Sequence, residues 1–348
     1  MKKILFINNY DCLTPYKQHV MPGHHQFGME FLNEDPDYEV YYYFCKIFSK
    51  NSKGYYLKEF FQFLKLYILS FKFDIVYDAL GCEQRYFGFL NRFHMFKPYY
   101  MLVFHHPPFE KRLKYCKYDH IIFECEYYYK KMCRMFPKQA DKMSLCVWGP
   151  DLSFYPQIDL NFDEPILISN GRTNRDHNLL VDAATYAKVH TVIVSDEKHI
   201  PSNFTDDNQY VEIYKQNVLN DKKMVELLCK CSIMVIPTFP SEELLGPIGN
   251  TSFCDATALG MPCIVASNTL MAENVMKFRL GLVYNVGDLN DLTEKITYCR
   301  EHPDTLKEMS RNIKKFGREN DSLKFAMVIK NIVDLCVDTI CSQSFCCF

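Results

Sequence analysis

Short apolar runs alternating with longer amphipathic segments predict an α/β chain of two domains, each a parallel sheet covered by helices. Three observations lead there. The 348 residues, 48% hydrophobic and 24% charged, can fill two cores, since a single domain usually holds about 100–200 residues. The strand-then-helix alternation runs through the chain twice, as it must where crossover helices cover both faces of a parallel sheet. A polar, proline-containing stretch at 150–165 separates the two series. With 13 glycines and 16 prolines, the chain is also too poor in both for a collagenous or low-complexity sequence.

In the first series, KKILFINNY has an apolar run that ends in polar residues, the pattern of a buried strand feeding a site loop. Further strands are expected at 40–45, 74–77, 99–104, 120–123 and 143–147. Helices are expected at 56–71, where Lys58, Glu59, Gln62 and Lys65 interrupt bulky apolar residues, and at 126–136. The second series places strands at 166–169, 191–194, 210–214, 232–236 and 263–266. Its helices fall near 177–187, 221–229, 251–259 and 289–300. A long helical pattern after Asn320 is expected to brace the first domain.

The formal charge of −2 divides unevenly: residues 1–157 carry 21 Lys and Arg against 16 Asp and Glu, and residues 158–348 carry 19 against 26. The basic half suits an anionic membrane surface or a phosphate-bearing substrate, but no basic tract is dense enough to make nucleic acid a partner. Sixteen cysteines lie scattered through apolar runs without repeated C-x-x-C pairs, which points to reduced thiols in a cytoplasmic protein. Only a five-residue apolar run follows Lys3, so no secretory leader is expected. The terminal CCF is not a prenylation box and reads as a plain end. Residues 60–73, interrupted by Lys65 and Lys72, are too short to span a bilayer. They fit a helix lying at a membrane surface or a buried amphipathic helix, and burial is the more economical reading.

Two segments are candidates for phosphate binding, the other readings being surface-paired arginines in the first and a plain loop and N-cap before a packed helix in the second. NGRTNRD at 170–176 follows a strand; Arg172 and Arg175 offer charge-assisted hydrogen bonds to a diphosphate, and Gly171 allows close approach. In 240–267, a loop with Gly246 and Gly249 enters a helix at Asn250 or Thr251, whose amides would receive an anion at the positive helix end. Asp255, one turn beyond Thr251, can accept hydrogen bonds from ribose hydroxyls. PGHHQFG at 22–28 and VFHHPP at 103–108 put histidine pairs on first-domain loops. Their adjacent spacing argues against zinc, and His105 or His106 reads equally as a group that steers a sugar or acceptor hydroxyl and as a structural loop histidine. Asp35 and Asp37 spell D-x-D, a possible divalent-metal pattern, but lie in the polar turn NEDPDY, where solvent-facing acids are ordinary. There is no P-loop and no G-x-G-x-x-G fingerprint.

In order and spacing, PGHH, VFHH at 103–106, WGPDLSFYP at 148–156, NGRTNRDHNLLVDAA at 170–184, CDATALGMPCIVAS at 254–267, Glu273 and GLVYNVGDLNDL at 281–292 resemble the GT4 family of retaining glycosyltransferases. The resemblance implies the GT-B fold: two Rossmann-like α/β domains facing a central cleft, with a C-terminal helix crossing back to the first. It implies an acceptor-binding domain at 1–157, a nucleotide-sugar donor domain at 158–320 and a returning helix and tail at 321–348. It further implies Gly23 in a first-domain glycine loop, and His105 near the transferred sugar with His106 beside it. Arg172 falls at the family's phosphate-binding arginine and Arg175 near its usual lysine. Asp255 matches the second carboxylate of an E-x7-E motif whose first position is here Pro247, leaving Glu242 and Glu243 as candidate donor-sugar contacts.

The implied reaction moves a sugar from a nucleotide diphosphate sugar, without metal or other cofactor, to a hydroxyl of a saccharide or polyprenyl-linked saccharide. Surface polysaccharide or glycolipid assembly is the implied setting, on the cytoplasmic side with peripheral membrane contact. A nonhydrolysing nucleotide-sugar epimerase and an inactive assembly subunit of the same fold are the alternative readings.

Overall fold

Ile4, Leu5, Phe6 and Ile7 are fully buried along strand β1 (Lys2–Asn8), because a strand inside a parallel sheet is covered on both faces and cannot alternate polar with apolar. In this computed structural model β1 lies between β2 (Tyr38–Phe44) and β3 (Ile75–Asp78), both parallel to it. Strands β4 (Tyr99–Phe104), β5 (His120–Phe123) and β6 (Met143–Leu145) extend the sheet in the order β2-β1-β3-β4-β5-β6. Helices α1 (Leu13–Lys17), α2 (Met29–Leu32), α3 (Tyr55–Ser70), α4 (Gln84–Arg92) and α5 (Glu126–Met135) belong to this unit. The structure describes residues 1–49, 51–80, 84–104, 113–171, 173–215, 221–241, 244 and 246–344.

The second unit repeats the plan. Strands β7 (Leu167–Ser169), β8 (Thr191–Ser195), β9 (Val211–Lys215), β10 (Ile233–Ile236), β11 (Cys263–Ala266) and β12 (Gly281–Tyr284) form a parallel sheet in the order β12-β11-β10-β7-β8-β9. Its helices are α6 (His177–Ala187), α7 (Asp221–Leu228), α8 (Asn250–Leu259), α9 (Ala272–Lys277), α10 (Leu289–Glu301) and α11 (Pro303–Glu319). Leu180, Ala184, Ile193, Val235, Ile264, Leu292 and Ile296 fill its core. The last helix, α12 (Ser322–Ser344), is part of the first unit. Two parallel six-stranded sheets with crossover helices are the α/β architecture expected from the alternation of elements.

Residues 148–157 cluster with the second unit rather than the first, so the division falls earlier than a boundary at 157. The reason is local packing: Tyr155 bonds to Asp255, the Cys254 thiol donates to the Trp148 carbonyl, and Gly149 lies so close to Asn320 that a Cβ there would overlap its carbonyl.

Helix α12 is held in the first unit by charge and by close approach. Asp35 pairs with Lys330, while Asp334 accepts from Tyr38 and from Lys2 at 2.8 Å. Asp35 also accepts the Asp37 amide at 3.0 Å, and its carboxyl is held below the usual range chiefly by Lys330. These contacts account for Asp35 as a structural residue. Gly28 adopts φ +89°, and a Cβ on it would stand 2.9 Å from the Ala326 backbone.

Burial of the 60–73 helix is not what the structure shows. Within α3 only Leu66 and Ser70 are buried, whereas Tyr56, Leu57, Phe61 and Ile68 are each more than half exposed. A single helix layer on this face of the sheet presents one stripe inward, where Phe63 and Tyr67 pack against Tyr86, Phe87 and Phe96, while Tyr56, Phe60 and Phe61 on the outer side stay exposed.

Gly28→Ala combines a left-handed backbone with a backbone clash and should cost roughly 2–4 kcal/mol. A lowered melting midpoint and faster proteolysis of α12 are expected. An unchanged midpoint would contradict the close approach.

Candidate functional site

The chain leaves β7 toward β8 on one side of the second sheet and leaves β10 toward β11 on the other. Loops that diverge from adjacent strands open a crevice at the carboxyl edge, which is where open parallel sheets take their ligands. The described residues between β7 and α6 and between β10 and α8 belong to those loops. In the first sheet the same divergence occurs between β1 and β3.

Asn170 and Gly171 lead out of β7. Gly171 has φ +99°, and a Cβ there would approach Nη2 of Arg175 to 3.0 Å, so glycine lets the guanidinium lie against the turn. Arg175 forms an isolated bridge with Thr238 in the opposing loop. Asp176 then caps α6 by accepting the Leu179 amide at 3.1 Å. The opposing loop is braced by Thr238, which donates to Asn268 at 2.6 Å, while Asn268 donates to the Phe239 carbonyl at 3.0 Å.

Arg175 is only 9% exposed. Its Nε donates to the Asn170 carbonyl, Nη1 to the Thr173 carbonyl and Nη2 to the Ser252 hydroxyl, each at 3.2 Å. All three acceptors are neutral, and among the described residues no carboxylate pairs with it. Burial pushes the guanidinium down to about 10, so it stays charged at neutral pH. The adjoining His177 is pushed down to about 3, first by burial and then by Arg175, and remains neutral. An isolated buried cation is unfavourable unless something neutralises it.

Ser252 stands in the first turn of α8. That helix starts after Gly249, at φ +96°, without a capping side chain. The Asn250 amide donates back to the Pro247 carbonyl at 3.1 Å, whereas the amides of Thr251 and Ser252 have no acceptor among the described residues. The amides left over are therefore those of Thr251 and Ser252; Asn250 has only its side-chain amide to offer. A buried cation beside the positive end of a helix is repulsive until an anion joins them.

Asp255 does not neutralise Arg175. Its Oδ1 accepts the Tyr155 hydroxyl at 2.7 Å and its Oδ2 accepts Asn170 Nδ2 at 2.9 Å, in a buried setting. Asn170 thus ties three things together: its side chain holds Asp255, and its carbonyl receives both Arg175 and the Ser252 hydroxyl, the latter at 3.1 Å. Asn170, Tyr155 and Ser252 are the residues that sequence reasoning did not single out, although each lies inside or beside a quoted motif.

In the first unit, Gly23 opens a 3-10 turn, Gly23–Gln26, and is buried. The glycine of this loop with a positive φ is Gly28, not Gly23. The rings of His24 and His25 stack at 4.7 Å, His25 Nδ1 meets the Tyr10 hydroxyl at 2.8 Å, and Asn8 donates to the His25 carbonyl at 3.4 Å. Burial lowers both imidazoles, His25 to about 4. His105, His106, Arg172, Glu242 and Glu243 lie outside the described residues. No cluster of three or more His, Cys, Asp or Glu is arranged for a metal among the described residues. Burial pushes the thiols of Cys12, Cys146, Cys231 and Cys299 up to about 12, so they act as neutral packing groups.

No protein-family model matches the chain, and no curated protein matches it by sequence. Solved structures match it by fold. A sucrose-phosphate synthase from Thermosynechococcus elongatus superposes with a TM-score of 0.69 at 14% identity, covering 97% of this chain and all of its own. HepE from Anabaena, in complex with UDP-glucose, gives 0.65 at 13% identity over 96% of this chain and all of its own. A glycosyltransferase from Rickettsia africae gives 0.63 at 15% identity over 95% and 98%. The architecture is therefore the GT-B fold of glycosyltransferases. At these identities the fold is what is shared.

Two outcomes follow from the electrostatics. Arg175→Met should leave the ligand-free melting midpoint within a few degrees, or raise it, while weakening pyrophosphate binding by about 10–100-fold in titration calorimetry; undiminished binding would contradict an anion site. Because His24, His25 and His177 are protonated more readily in the unfolded chain, their contribution to stability is complete above pH 6.5. It declines as pH falls below 6.5 and is lost once the folded imidazoles protonate, His25 through about 4 and His177 through about 3. Melting midpoints at pH 7.5 and 4.5 should show a clear drop, and a flat profile would contradict it.

Proposed function

We propose that the chain is a retaining glycosyltransferase that moves a sugar from a nucleotide diphosphate sugar to a hydroxyl of a saccharide or lipid-linked saccharide, in surface polysaccharide or glycolipid assembly. The observation that carries this reading is Arg175, a buried cation with no carboxylate partner among the described residues, at the uncapped start of α8. A diphosphate supplies the missing charge. The GT-B fold, and the UDP-glucose held by HepE, support a nucleotide sugar as its source.

Catalysis on this reading is stabilisation of the departing diphosphate. Negative charge grows on the leaving phosphate as the glycosidic bond stretches, and a preorganised guanidinium and amides stabilise that charge more than the ground state. Arg175 and the Thr251 and Ser252 amides serve this role, with Arg172 as the second cation. The acceptor hydroxyl attacks from the face the phosphate leaves, transferring its proton to the departing phosphate, so configuration at the sugar carbon is retained. Asp255, aimed by Tyr155 and Asn170, meets the ribose hydroxyls. His105 and His106 orient the transferred sugar or acceptor, with Glu242 or Glu243 on the donor sugar. Gly23 shapes the acceptor domain's loop. Phosphate stabilisation by arginine and amides makes the reaction independent of metal.

A panel of nucleotide sugars with the purified protein and a mixture of saccharide and lipid-linked acceptors tests the reading. Acceptor-dependent release of nucleoside diphosphate, with retained anomeric configuration and full activity in chelator, is expected. Donor isomerisation without acceptor would assign an epimerase, and donor binding without turnover an assembly subunit. For Arg175→Ala, turnover should fall about 100-fold or more; unchanged turnover would remove Arg175 from the mechanism.

A further inference from the structure

Among the described residues, nothing covers the outer side of helix α3, and its exposed side chains are arranged in order. At 100° per residue, Tyr56, Leu57, Phe60, Phe61, Leu64 and Ile68 share an arc of about 140°. Tyr56, Phe61 and Ile68 are 77%, 58% and 62% exposed. Lys58 and Lys65 stand seven residues apart and so line one edge of that arc, and Lys72 follows in the turn just past the helix end at Ser70. The helix's single carboxylate, Glu59, falls on the opposite side, where it accepts from the Tyr55 hydroxyl. Tyr67 donates to the Met95 carbonyl at 2.9 Å, which sets exposed Met95 and Phe93 beside the C-terminal end of the stripe.

A contiguous apolar face of this kind marks an interaction surface, and the lysine row specifies its partner. A bilayer with anionic headgroups offers an apolar interior behind a negatively charged plane, which matches an apolar stripe edged by cations lying parallel to it. We infer that α3 docks the first unit on an anionic lipid surface, with the aromatic and aliphatic side chains seated in the acyl boundary and Lys58, Lys65 and Lys72 at the headgroups. No helix among the described residues is long and apolar enough to cross a membrane, so the contact is made along the surface. This docking goes beyond the sugar-transfer reading and stands whether or not that reading does.

Sedimentation of the full chain with lipid vesicles tests it, without donor or acceptor present. Vesicles containing phosphatidylglycerol should carry the protein down, and phosphatidylcholine vesicles should do so far less. Replacing Lys58, Lys65 and Lys72 by Gln together should weaken binding by about 100-fold, and Phe61→Ser with Ile68→Ser should abolish it. Both variants change exposed residues, and unchanged melting midpoints would verify that they remain folded. Absent binding, equal binding to both vesicle types, or binding indifferent to both variants would overturn the inference. So would a dimer in solution that the Phe61→Ser, Ile68→Ser variant dissociates, since the occupant of the face would then be a second copy of the chain.

Discussion

The arrangement at the carboxyl edge of the second sheet depends on the buried charge of Arg175. Placing a guanidinium where water is largely excluded costs several kcal/mol unless it is compensated, and among the described residues it meets only carbonyls and a hydroxyl. The nearby carboxylate, Asp255, is engaged by Tyr155 and Asn170. Both features keep the cation available to a ligand. Gly171 makes room for the guanidinium, and Asp176, which starts α6, fixes the turn from which it projects.

The sheet topology explains why such a site can exist there. Adjacent parallel strands whose loops part to opposite sides leave backbone amides and side chains facing a crevice without having to break the core. Beneath the crevice the core is apolar and continuous, with Ile168, Ile193, Val235 and Ile264 fully buried or nearly so. The cost of a strained, charged edge is thus separated from the packing that stabilises the fold. Gly249 and Gly171, both with positive φ, are the backbone positions where this edge asks for glycine.

Strands buried on both faces were legible because their apolar runs are continuous: the expected runs at 99–104, 120–123 and 263–266 coincide with β4, β5 and β11. Arg175, Gly171 and Asp255 were legible as members of motifs, and the structure brings them together around Asn170. What the motifs could not tell was direction. Whether Asp255 faces a ligand or its neighbours depends on Tyr155, a hundred residues away in sequence. Nor could periodicity decide the exposure of α3, since an apolar stripe reads the same whether the protein or a lipid surface covers it. The weight of Gly28 rather than Gly23 follows from α12 pressing on it, a contact between distant segments that no local pattern encodes.

The claim that Arg175 and the start of α8 together form a diphosphate site is tested most directly by a crystal structure of the protein with UDP. The account predicts a phosphate within hydrogen-bond distance of the Arg175 guanidinium and of the Thr251 and Ser252 amides. A nucleotide bound elsewhere, with Arg175 still donating only to Asn170, Thr173 and Ser252, would contradict it.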